Sequence, residues 1–380
     1  MTNEKIDEKM EEKIKACWLH AMYGVKRQKK HELLAYAGTV SEILKLSKEQ
    51  RKQFLTDKEM ERWEWHEQHT NRYQMWEWLC EKKIEFTYCE EQQFPQKLIG
   101  MPDMPFGLYY KGKLPNERKP SVSIIGARKN SEYGRVMADY FARELAGSGV
   151  EIISGMAMGI DGISQRAALK AGGYSCAVLG CGVDIAYPPS NQQLYEQLLW
   201  QGGVISEYPP GTQPLPLLFP QRNRIISALA DAILVVEARE KSGTLITVDM
   251  ALEQGREVYV IPGRSTDALS MGCNKLLRQG AIAAITPQDI VNDMKWLQEE
   301  TATKQDAFYE RRFVNLSETA EQILQFLDMT PCTQDDIINK LYQKNCHYTI
   351  PQVCQGLFEL ELQGIAKRTA GLYSLSVTKL

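Results

Sequence analysis

The chain has 380 residues, 43% hydrophobic and 24% charged, and its 45 Lys and Arg nearly balance 48 Asp and Glu for a net charge of −3. That balance excludes wholesale disorder, and no apolar run approaches the ~18 residues of a membrane span. Nine cysteines, dilute and without a C-x-x-C pair, predict reduced thiols, no metal site and a cytoplasmic protein of two or three domains. Met1 to Lys15 lacks the apolar core of a secretory signal.

Residues 1–85 are rich in Lys, Glu, Gln and Trp. Ile14, Trp18, Leu19 and Met22, then Leu33, Leu34, Ile43, Leu44 and Leu46, recur at helical spacing. They predict a small all-α domain with Trp63, Trp65, Trp76 and Trp78 filling its core. His66 and His69, one helical turn apart, read as ordinary surface. Pro95, Pro102 and Pro105 break any helix in the bridging stretch that follows.

Residues 86–295 change character from about 121 onward. Short β-branched runs (Val122–Ile125, Val150–Ile153, Ser175–Leu179, Val204–Ser206, Ala232–Val236, Val258–Ile261, Ala281–Ile285) predict strands. Between them Tyr133–Ala146, Gly162–Lys170, Asn191–Trp200, Asn223–Leu229 and Thr244–Gln254 predict helices, with Gly147, Gly172 and Gly255 at their ends. The alternation predicts an α/β domain built on a doubly wound, mostly parallel sheet of the Rossmann-like kind. Residues 296–315 read as a linker. Residues 316–380, with three helical patterns and a terminal hairpin, read as a winged helix. Its third helix, Thr349–Gln363, has no Lys or Arg, which favours protein contact or packing over reading a duplex.

Ligands of such a sheet sit off the carboxyl ends of the strands. The loops there are Gly126-Ala-Arg-Lys-Asn-Ser131, Ser154-Gly-Met-Ala-Met-Gly-Ile-Asp161, Gly180-Cys-Gly182 and Arg239-Glu-Lys-Ser-Gly-Thr244. Small residues let a ligand approach, and helix N-termini offer N–H groups, so these loops suit phosphate. Arg128, Lys129, Arg222, Arg224, Lys241 and Arg264 bring positive charge to the same loops. Yet residues 120–290 hold 14 basic against 16 acidic residues, so any polyanion site is local. In Phe219-Pro-Gln-Arg-Asn-Arg-Ile-Ile226, Arg222 and Arg224 flank Asn223 and are expected in the first turn of a helix. No histidine lies between residues 70 and 346, which excludes a Ser-His-Asp engine inside this domain. A dinucleotide cofactor needs a glycine where Arg128 stands and an acidic residue at the end of the second run, which ends in Ser154-Gly155. No cofactor is expected.

The ordered set of Ile125-Gly-Ala-Arg128, Ser154–Asp161, Tyr187-Pro-Pro-Ser-Asn191, Phe219–Ile226, Lys241-Ser-Gly-Thr-Leu-Ile-Thr247, Gly255–Gly263, Gly272-Cys-Asn274 and Arg278-Gln-Gly-Ala281 resembles the DNA-processing protein A (DprA/Smf) family. The resemblance implies a helical N-terminal domain like a sterile alpha motif and a C-terminal winged helix. It implies a homodimer that binds single-stranded DNA, protects it, and loads a RecA-type recombinase onto it in natural transformation, without catalysis. It makes Arg128 and Lys241 phosphate contacts, with Arg222 and Arg224 on the same rim. Gly126, Ser154, Gly155 and Gly243 would keep the groove narrow and supply backbone donors. Lys129, Asn223, Ser242, Thr244 and Asn274 complete the candidate DNA-binding set. Ser164-Gln165 departs from the Ala-His common in the family, and Met22-Tyr-Gly-Val-Lys26 is a degenerate form of its N-terminal hairpin.

The alternative is a nucleotide phosphoribohydrolase-like enzyme on the same sheet type. Those enzymes resemble one another in Pro-Gly-Gly-x-Gly-Thr-x-x-Glu, and here Thr247 stands at the Glu position. The carboxylate that would assist glycosidic cleavage is missing from that slot.

Overall fold

The computed structural model describes residues 8–294, 317–324, 326–327, 332–344, 348–362, 366–369 and 372–375. The expected linker at 296–315 lies outside them. The chain divides into two compact units, residues 1–294 and 295–380.

The first unit opens with six helices: α1 (Glu8–Ala21), α2 (Arg27–Ala37), α3 (Val40–Lys45), α4 (Lys48–Arg51), α5 (Asp57–His69) and α6 (Arg72–Glu81). Side chains of Thr39, Ser47, Thr56 and Asn71 accept N–H groups at the heads of α3 to α6, which fixes where each begins. The tryptophan expectation needs correction. Trp63 is buried and meets Trp18 edge-on at 6.3 Å, whereas Trp65 and Trp78 are exposed. Residues two apart on a helix point ~200° apart, so Trp63 and Trp65 cannot both face inward. His66 is buried against Trp18 rather than lying on the surface, and His69 stacks outside on Trp65.

Nine strands follow in one sheet: β1 (Glu85–Tyr88), β2 (Gly107–Gly112), β3 (Ser121–Ile125), β4 (Glu151–Ser154), β5 (Ser175–Val178), β6 (Gly203–Ser206), β7 (Ala232–Val235), β8 (Glu257–Val260) and β9 (Ile282–Ala283). Their spatial order is β1-β2-β6-β5-β4-β3-β7-β8-β9. β3 to β9 pair parallel, while β1 and β2 add an antiparallel edge where the prolines of the bridging stretch predict irregular chain. Helices α7 (Glu132–Gly147), α8 (Ile160–Lys170) and α9 (Gln192–Gln201) connect the first parallel strands, and α10 (Leu218–Ala228), α11 (Gly243–Glu253), α12 (Met271–Arg278) and α13 (287–294) follow. Side chains alternate across the sheet: Val122 and Ile124 pack with α7 and α8, and Ile125 packs with α10 and α11. Gly172 and Gly255 adopt positive φ just past α8 and α11, as helix ends of this kind require. Helix α10 begins at Leu218 rather than Asn223, with Pro220 in the first turn, where its missing N–H has no intrahelical partner.

The second unit has α14 (Glu318–Leu324), α15 (Gln334–Gln343) and α16 (Ile350–Leu362), then β10 (Ala366–Thr369) paired antiparallel with β11 (Leu372–Leu375). Cys332 bridges to Tyr373, which completes a winged-helix pattern around Ile323, Ile337, Leu357 and Leu360. Ile350 and Phe358 lie exposed on α16. No helix among the described residues is long and apolar enough to cross a membrane.

Candidate nucleic-acid interface

At the carboxyl ends of β3, β4 and β7 the loops enclose an open cleft of about 430 Å³. Gly126 and Arg128 form one wall, Phe219, Arg222 and Asn223 of α10 another, and Ser242, Gly243 and Thr244 at the head of α11 a third. Ser242 caps α11, its hydroxyl accepting the Thr244 N–H at 3.2 Å. The partial positive charge of that helix head therefore faces the cavity. A larger hollow of about 610 Å³ lies at the opposite ends of the strands, between the turns that follow α7 and α8 and the segment 113–119.

The cleft wall is held by buried polar groups. Asn191 donates to Met156 O at 2.9 Å and Ala157 O at 3.1 Å. Gln165, standing where the family often has histidine, accepts the Met156 N–H at 3.0 Å and donates to Ser175 Oγ. These bonds hold Met156 at φ 54°, a strained value for a residue with a side chain. Gly159, at φ 77°, passes so close to Ala127 O that a Cβ would lie 2.3 Å from it. Asp161 accepts the Gly155 N–H at 3.2 Å, and its carboxyl is pushed up by burial, with Arg222 and backbone N–H groups opposing.

The two arginines of the α10 motif part company. Arg222 lines the cleft floor, donating to Gly155 O at 2.9 Å and to Val178 O. Burial draws its guanidinium down to about 10, with Asp161 opposing. A Cβ on Gly155 would strike that guanidinium at 2.6 Å, so the glycine is what admits Arg222. Arg224, expected on the same rim, is absent from it. Two residues on, it points the other way and is buried against Glu207, both carboxylate oxygens at 2.8 Å.

Gly126 and Arg128 line the cleft, and Arg128 is exposed. Lys129 and Lys241 are exposed but not in the lining; Lys241 stands at the lip beside Ser242. Ser154 faces the core instead, donating to Ile124 O at 2.7 Å. Asn274 is likewise spent on backbone, donating to Gly263 O and accepting Gly263 N–H. A Cβ at Gly243 would meet nothing within 4 Å, so that glycine leaves the entrance open rather than narrow.

Sequence reasoning missed the aromatic pair. Tyr187 stacks on Phe219 with centroids 5.4 Å apart and 26° between planes, and the Arg128 guanidinium lies 5.7 Å over the Phe219 ring. The signal lies in Tyr187-Pro-Pro and Phe219-Pro, where an aromatic residue precedes a proline at the mouth of a loop or helix. A cation beside an aromatic face at a helix head fits a phosphate and a base together. Phe219→Ala should weaken oligonucleotide binding roughly tenfold, at ~1–3 kcal/mol per stacked base. Fluorescence anisotropy with labelled oligo-dT would show it, and an unchanged affinity would remove the ring from the site.

Fold and cleft define a Rossmann-like protein with an open, locally cationic and aromatic cleft at the strands' carboxyl ends. The family model described as DNA recombination-mediator protein A matches residues 85–295, and the chain belongs to that family. It is 34% identical to protein Smf of Escherichia coli (strain K12) over 302 residues, 78% of each chain. It is 40% identical to DNA processing protein DprA of Streptococcus pneumoniae over 203 residues, 53% of this chain and 72% of the relative. The solved DprA structure from Streptococcus pneumoniae superposes with a TM-score of 0.66 at 31% identity, covering 73% of this chain and 97% of that one. DNA processing protein A from Helicobacter pylori, solved to explain its single-stranded DNA binding mode, gives 0.50 at 29% identity, with 55% and 95% covered.

Proposed function

We propose that this protein binds single-stranded DNA in the cleft, protects incoming DNA in the cytoplasm, and hands it to a RecA-type recombinase during natural transformation. The observation that supports this reading best is the Arg128, Phe219 and Tyr187 stack beside the open head of α11. Its parts serve a backbone phosphate and a base face without reading base edges. The single-stranded DNA binding of the Helicobacter pylori relative points the same way. Output is binding, not turnover: Asp161, the carboxylate lining the cleft, is engaged by Gly155 N–H.

Labelled oligo-dT should bind more tightly than the matching duplex. With about four phosphates neutralised, affinity should fall roughly 50-fold between 50 and 200 mM salt, from a slope near −0.7 per contact. Equal or tighter duplex binding would sink the proposal.

One cleft holds few nucleotides, so a homodimer that seats two clefts on one strand would raise apparent affinity by making the second contact intramolecular. Sedimentation at micromolar concentration should return twice the 43.3 kDa chain mass. A strict monomer with undiminished affinity would refute this part.

A further inference from the structure

In a doubly wound sheet a nucleotide's phosphate goes first to the helix head that follows the glycine loop at the switch point. Here β4, β5 and β6 extend from β3 on one side and β7, β8 and β9 on the other, so the switch falls between β3 and β7. The corresponding helix head is that of α7. It is already occupied. Glu237 leaves β7 at this gap and is 2% exposed. Its carboxylate accepts the Ser131 backbone N–H at 2.9 Å and the Ser131 hydroxyl. Ser131 Oγ in turn accepts the Gly134 N–H at 3.0 Å.

A Cβ on Gly134 would lie 2.2 Å from a Glu237 carboxylate oxygen, so α7 is bare where that group rests. Among the described residues no Lys or Arg stands within ion-pair distance of Glu237. A buried carboxylate without a cation is tolerated only where N–H and O–H donors and a helix dipole hold it. Those are the same donors that would hold a phosphate.

We propose that Glu237 is a specificity-determining residue, an anion built into the chain that fills the phosphate slot at the head of α7. Mononucleotide and dinucleotide phosphates are refused there, and a strand's backbone is left the head of α11. The second half of that statement rests on the single-stranded DNA reading; the first does not.

Glu237→Ala empties the slot. Equilibrium dialysis with labelled inorganic phosphate, at ionic strength fixed with chloride, should then count one more phosphate per chain than the parent binds. Glu237→Gln refills the slot with a side chain of the same shape and should bind no more than the parent. That control separates an emptied slot from general stabilisation by phosphate. If the Ala variant does not fold in chloride, phosphate should restore it. A folded Ala variant without the extra phosphate, an unfolded one that phosphate fails to restore, or a Gln variant that gains as much as Ala would each overturn the proposal. Oligo-dT binding by the parent, measured alongside, reports on the cleft alone. Its absence would sink the DNA reading and leave the phosphate count to decide the role of Glu237.

Discussion

Arg128→Glu should cost single-stranded DNA affinity roughly 10- to 150-fold while leaving the fold intact. A hydrogen bond to a charged group contributes ~1.5–3 kcal/mol, and reversing the sign adds repulsion at the place where the phosphate would sit. Arg128 is exposed, with its guanidinium over the Phe219 ring. Its loss should therefore move unfolding by no more than ~0.5 kcal/mol, as for other surface positions. The salt dependence supplies a second reading: losing one phosphate contact should flatten the logarithmic slope by ~0.7. Lys241→Glu, at the lip rather than in the lining, should act in the same direction with smaller effect. A folded Arg128→Glu protein that binds oligo-dT normally, with an unchanged slope, would show that the strand passes elsewhere.

Arg224→Ala should do the reverse. Its guanidinium meets both oxygens of Glu207 at 2.8 Å, and its Nε lies 3.5 Å from Asp103. Arg27 of α2 pairs with the same Asp103 and reaches Glu207 at 3.5 Å, closing a ring of two cations and two carboxylates. Asp103 is held below the usual carboxylate range, chiefly by its hydrogen bond to Arg27. Removing Arg224 strips the buried Glu207 of its two-oxygen partner and leaves it the single Arg27 contact at 3.5 Å, a defect that costs up to about 3–5 kcal/mol when the charge is left uncompensated. Urea unfolding should show a loss of that size, while the protein that remains folded binds oligo-dT much as the parent does. Unchanged stability with lost DNA binding would return Arg224 to the rim.

The contrast between these arginines marks what the sequence could and could not disclose. Val122–Ile125, Ile152, Ile153 and Ile233 are buried on both faces of a parallel sheet, so β-branched runs announce their strands without ambiguity. The glycine loops between them locate the cleft for the same reason, since strand ends and helix heads follow from the alternation. β1 and β2 were harder: Phe86, Tyr109 and Tyr110 lie in short aromatic runs among prolines, where the punctuation reads as loop. Arg222 and Arg224 were harder still. Both are cations in one motif, and only the phase of α10 decides which meets the cavity and which meets Glu207. Asn274 and Ser154 show the same limit, because a polar side chain near a site serves backbone as readily as ligand.

The antiparallel edge also bears on how this protein can be cut or recombined. The stretch matched by the family model starts at residue 85, yet β1 and β2 are roofed by the helices before it. His20 packs 5.4 Å from Phe86 and 5.3 Å from Tyr109, and its ring bonds Glu207 O at 2.8 Å. Leu19, Met22 and Leu33 share one apolar cluster with Phe86, Phe106 and Tyr109. The segment that the family model matches is thus smaller than the segment that folds. A helical domain grafted from a relative would have to bring its own version of that edge, and the two can drift in sequence only together.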